Sequence, residues 1–196
     1  PPSPPITIWS AHFADTLLHR PALGGATLLD ARLYAHSLGT AVVLIGITMG
    51  QQAVALIGAG IVMAQAIAGV VAITVQYRRA IAPRLASLAI HYAVALVLLA
   101  TGALLGFLIS WSNAHGRSAL ADGFYLAHTT TMLLGFVGTT VLGTLTVLWP
   151  TMLRTPMEPV APRWTTRGLP YLVGGTALVA ASGLWLPLAG LGTLVY

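Results

Sequence analysis

The sequence predicts an all-α, polytopic transmembrane helix bundle of five to six spans, and three observations predict it. Of 196 residues, 57% are hydrophobic and only 7% are charged, whereas soluble domains carry about 25% charged residues. The apolar residues fall in blocks, most of them near the roughly 20 residues that a helix needs to cross a bilayer. The ten-residue alternation of a membrane barrel is absent, and an open sheet could not satisfy its backbone in lipid.

The blocks follow in order. Ile6 to Leu18 is short, is broken by Asp15 and reads as the end of a helix. Leu33 to Met49, Ala53 to Val75, Leu85 to Trp111 and Gly123 to Pro150 are each long enough to span. Leu169 to Leu186 is a fifth span, and the last ten residues begin another. The chain opens Pro-Pro-Ser-Pro-Pro without Met and ends inside apolar sequence. A single transmembrane domain over residues 1–196, belonging to a longer chain, is therefore expected.

Charge predicts the orientation of these spans. The net charge of +5 comes from nine Arg and no Lys against four acids. Eight of the arginines fall in residues 19–32, 76–84 and 151–168, and the ninth is Arg117. The positive-inside rule places those three loops in the cytoplasm of a multi-pass cell-membrane protein. Topology thus accounts for the basic balance, and nucleic-acid binding is set aside. The chain has no cysteine, which excludes disulfides, iron–sulfur clusters, thiolate zinc and cysteine-ligated copper within it. Histidine-ligated haem or copper stays open. Gly46 with Gly50, and Gly102 with Gly106, stand four residues apart, a spacing that lets helices approach closely.

Six histidines accompany only four acids, and an ionisable group inside a span is costly enough to need a reason. His128 lies in an apolar run that holds no Asp, Glu, Lys or Arg from Gly123 to Pro150. Counting 1.5 Å per residue from the flanking arginines places His91 about 10 Å, His36 about 6 Å and His12 about 12 Å above the cytoplasmic ends of their helices. These three are candidate ligands in one inner layer. His128, 22 residues before Pro150, is about 33 Å from the cytoplasmic end. It is thus too far from His91 to share a metal. For His91 and His128 the competing reading is an interhelical hydrogen bond to a hydroxyl or carbonyl, and Thr129, Thr130 and Thr131 stand ready beside His128; His36 is shallow enough to meet water, and His19 and His115 read as loop or interface histidines. His12, Asp15 and His19 share one helix face, which is a weak zinc or copper pattern. His115, in the outer loop, is a further weak candidate. Asp15, Asp30, Asp122 and Glu158 all sit at segment ends or in loops, so hydrolytic chemistry has little support.

Two stretches carry a resemblance. One is Trp9-Ser-Ala-His12-Phe-Ala-Asp15-Thr-Leu-Leu-His19-Arg20. The other is Ala127-His128 followed by Leu134-Gly-Phe-Val-Gly-Thr-Thr-Val-Leu-Gly-Thr-Leu-Thr-Val-Leu-Trp-Pro-Thr-Met-Leu-Arg154. Together they resemble the membrane portion of actinobacterial multicopper oxidase and copper nitrite-reductase-like proteins. More remotely, the second is similar to helices of the NnrS and haem–copper oxidase group. The resemblance implies a membrane redox module: b-type haem held by histidines, with electrons passing from quinol toward an extracytoplasmic copper centre. His12, His36, His91 and His128 are the expected cofactor ligands. Lipid, quinol and a copper-containing redox domain or subunit are the expected partners, in an assembly of one or more copies. The alternative is a non-catalytic membrane anchor or assembly subunit that uses the same histidines for packing.

Overall fold

The computed structural model describes residues 14–18, 24–80 and 85–196. Among them every regular element is helical. Residues 14–18 form a helical segment. Then follow α1 (Gly25–Thr48), α2 (Gln52–Arg79), α3 (Ala86–Ala114), α4 (Ser118–Met152), α5 (Ala161–Ala180) and, after a short turn, α6 (Pro187–Val195). Four are long and apolar enough to cross a membrane: Thr27–Thr48 within α1, then α2, α3 and α4. Large apolar side chains such as Leu38, Ile47, Ile57 and Leu133 stand exposed on them. An exposed apolar surface of this kind suits a lipid surround.

The turns show why the chain reverses where it does. Gly50 and Gly116 both have a left-handed backbone, with φ of +65° and +66°. At each, the glycine N–H and the next N–H return to the helix. Gly50 bonds Ile47 and Gln51 bonds Gly46, while Gly116 bonds Asn113 and Arg117 bonds Ser112. This is the glycine-terminated C-cap known as the Schellman motif. It closes the α3–α4 connection in three residues, so α4 begins at Ser118 rather than near Gly123 as the polar run Ser112 to Asp122 suggests. The same pattern ends α4 at Arg154, where φ is +52° on a non-glycine residue.

α4 is also irregular at its centre, where Thr131–Gly138 winds as a π-helix. Such stretches are rare and recur at functional positions. α5 starts at Ala161, eight residues before the apolar run at Leu169, because Pro162 fits a helix's first turn. Its first half carries Arg163, Thr165, Thr166 and Arg167.

α3 lies at the centre. It packs against α2, all of α4 and α5. Its Leu88, Ala89, Tyr92, Ala95, Leu96 and Leu99 form a core with Ala66, Ile73 and Phe136, and with Leu17 and Leu18 of the first segment. α1 packs on α2 at backbone contact. A methyl group at Gly46 would lie 2.7 Å from the Ala55 Cα. The two glycine pairs therefore serve different ends. Gly46 opens the α1–α2 contact and Gly50 the turn, whereas Gly102 and Gly106 both face α4.

Candidate functional site

Three histidines lie inside the long helices, and each meets different surroundings. His128 is half-buried on α4, one turn before the π-helix. Its Nδ1–H donates to the Gly102 carbonyl on α3 at 2.8 Å. Because a carbonyl only accepts, this bond fixes the proton on Nδ1 and leaves the Nε2 lone pair exposed in the neutral ring. Nε2 makes no hydrogen bond among the described residues. The ring has room beside Gly106, where a methyl group would sit 3.6 Å from the imidazole in ordinary contact. Met132, one turn along α4, packs over Gly102.

His128 lines a cavity of about 530 Å³ between the four long helices. That size lies within the roughly 300–1,000 Å³ of ligand and cofactor sites. Thr40 of α1, Val62 of α2, Leu99 and Phe107 of α3, and Tyr125 of α4 share its wall. The wall is mainly apolar, with the imidazole, the Tyr125 phenol and a few other polar groups set into it.

His91 is completely buried on α3. Its Nε2–H donates to the Thr165 carbonyl of α5 at 3.3 Å. α4 crosses directly over it: a methyl group at Gly143 would come within 2.8 Å of the His91 Cβ. Next to it the Tyr92 hydroxyl and Thr144 Oγ1 are 3.1 Å apart, and Thr146 meets Thr165 at 3.0 Å. Helices α3, α4 and α5 are thus laced together here. The His91 Nδ1 is buried and unbonded.

His36 is 2% exposed on α1, and among the described residues neither ring nitrogen has a hydrogen-bond partner. Its level follows from the helix registers. Gly39 faces Gly58 and Ile61, Gly46 faces Ala55, and Gly69 faces Arg32, so His36 is level with residues 62–65 of α2. Gln52 donates to the Ser110 carbonyl and Gly69 faces Leu96, so that level meets α3 near Ala100. His36 therefore stands about 14 Å above His91 along α3, and His128, bonded at Gly102, about 16 Å above it. His36 and His128 occupy neighbouring levels, well above His91. The common layer expected for His36 and His91 is corrected by the start of α1, which begins at Gly25, seven residues before Arg32. Arg32 does not mark the helix end, because its guanidinium packs against Gly69.

His115 caps its own helix. Its Nδ1 bonds the Trp111 carbonyl at 2.8 Å and its ring packs 4.5 Å from that of Trp111. His12 and His19 lie outside the described residues. Asp15, between them in sequence, accepts a 2.6 Å hydrogen bond from Gln76 Nε2. Among the described residues no group of three or more His, Cys, Asp or Glu is arranged to hold a metal ion.

Gln65 and Gln76 are the two glutamines of α2's interior, and their presence in an apolar helix is the available signal, since a glutamine in a span needs a partner. No protein-family model, curated protein or solved structure matches this chain.

Proposed function

We propose that this chain is the membrane-embedded redox module of a larger electron-transfer assembly, holding a b-type haem through His128 and passing electrons from quinol toward an extracytoplasmic copper centre. It crosses the cell membrane five or six times, with the Gly25 end of α1 and residues 76–84 and 151–168 toward the cytoplasm. On that topology the turns at Gly50 and Gly116 face outward, and the His128 cavity opens in the outer half, beside the acceptor.

One observation carries this reading: His128 is anchored at Nδ1 and unbonded at Nε2 beside an apolar cavity of cofactor size. A ligating imidazole is held in this way, its far N–H bonded to a carbonyl that fixes tautomer and ring orientation. The residues fit a haem with one protein nitrogen. Among the described residues no second imidazole lines the cavity, and His91 is about 16 Å away along α3. A haem, when bound, supplies reversible one-electron chemistry at its iron. The chain's part is to present Nε2, to keep ring space clear at Gly106, and to exclude water with Leu99, Phe107 and Val62. The optical spectrum of the purified protein tests this. A haem Soret band is expected, lost in His128→Ala and kept in His91→Ala. A colourless, metal-free protein with its fold intact would contradict it.

A specific observation favours the second reading, a membrane anchor or assembly subunit. His91 and His128 each bond the backbone of a neighbouring helix, which is a packing role in itself. The same spectrum separates the two.

A further inference from the structure

Below the cavity, α1 and α2 enclose a second polar assembly that the haem reading does not use. Arg32, His36 and Thr40 stand four residues apart on one face of α1. Thr40 lines the cavity, and its hydroxyl donates to the His36 carbonyl at 2.9 Å. Arg32 lies one turn below His36, against Gly69, and Asp15 is close enough for its charge to act on the guanidinium. Asp15 in turn accepts from Gln76. Gln65 shares the level of His36 by the α1–α2 register.

The unused hydrogen-bonding capacity is concentrated here. Among the described residues Arg32 Nε, both nitrogens of His36 and Gln65 Oε1 are all buried without a partner. Leaving such a group unpaired is costly, so four in one region ask for a reason. A packing histidine would be bonded as His91 is, whereas among the described residues His36 is bonded at neither nitrogen. Intramembrane ionisable groups that face the bundle interior mark proton and ion pathways.

We propose that Arg32, His36 and Gln65 line a proton-conducting column that runs from Asp15 to the cavity floor at Thr40, with His36 as the carrier. The imidazole takes a proton at one nitrogen and releases one at the other, and tautomer exchange or ring rotation restores it. One proton enters for each that leaves, and no electron moves. Histidine suits this because its charge changes near neutral pH. Among the described residues the charged groups on this side are Arg32, one turn below it on its own helix, and Asp15 of the first segment beyond Arg32. α2 contributes Gln65 at this level and Gln76 lower, beside Asp15, and α3 presents Leu99 here, with His91 about 14 Å lower.

The column does not depend on the haem reading, and its test needs no cofactor. The full chain is reconstituted into phosphatidylcholine–phosphatidylglycerol vesicles with a pH-sensitive dye trapped inside and valinomycin in the bilayer, and an acid step is applied. The interior is expected to acidify several-fold faster than in protein-free vesicles. His36→Gln, which keeps polarity but cannot carry a proton, returns the rate to the protein-free value, Asp15→Asn slows it, and His115→Ala leaves it unchanged. Far-ultraviolet circular dichroism checks the fold. Should His36→Gln not fold, Thr40→Val, which keeps the shape and removes the hydroxyl, is expected to slow the flux instead. Wild-type vesicles no faster than protein-free ones, or a folded His36→Gln as fast as wild type, overturns the proposal.

Discussion

The α3–α4 interface has two ends, each built around a histidine bonded to a backbone carbonyl, and they differ in what surrounds the ring. At the His91 end α4 crosses so closely that Gly143 leaves no space above the His91 Cβ. α5 closes the third side through Thr165, and Tyr92 and Thr144 add a further bond. At the His128 end Gly102 and Gly106 also bring the helices together, yet a methyl group at Gly106 would still clear the ring by 3.6 Å, and the ring borders a cavity. Residue type and bond type are shared. Room, and access to the second nitrogen, separate a structural histidine from one able to hold a ligand.

The largest expected contrast comes from adding one methyl group at each end. Gly143→Ala forces the new carbon against the His91 Cβ, and overpacking of this sort costs about 1–3 kcal/mol. Gly106→Ala meets only ordinary contact and is expected to leave stability near wild type. Unfolding of the two variants in mixed micelles measures the difference. Equal losses would erase the distinction between a closed end and an open one.

A smaller effect is expected at the closed end from Tyr92→Phe. It removes the bond to Thr144, and polar contacts between membrane helices average about 0.6 kcal/mol, with a maximum near 1.7. The same unfolding assay reads it, and an unchanged haem spectrum in this variant would localise its effect to packing. The smallest change in stability is expected from Gly106→Leu, whose side chain projects into the cavity region. This variant sharpens the comparison because haem binding is expected to fall steeply while the fold persists. Retained binding would place the ligand elsewhere.

Much of this contrast was hidden in the sequence, and the reasons are physical. The four long spans were legible because lipid demands apolar length, and Leu33 to Met49 or Ala53 to Val75 can be little else. The start of α4 was not, because Ser112 to Asp122 reads as a polar loop, whereas a Schellman turn at Gly116 needs only three residues. The start of α5 was hidden for the opposite reason: its first half is polar and looks like connector, whereas Leu169 onward reads as a span. The separation of His128 from His91 followed from counting residues, since both helices are continuous. The level of His36 did not, because an arginine in the sequence reads as a membrane edge, whereas Arg32 lies against Gly69. Which glycine faces which histidine depends on helix rotation, and apolar spans of nearly uniform hydrophobicity do not encode rotation. The cavity was invisible for the same reason.

The central claim is that His128 holds a ligand through Nε2 and that His91 does not. Titration of haem into the purified chain, followed by its Soret band, tests that most directly. The account predicts saturation at one haem per chain in wild type and in His91→Ala, and its loss in His128→Ala. Equal binding by wild type and His128→Ala, or no saturable binding by a folded wild-type protein, would contradict it.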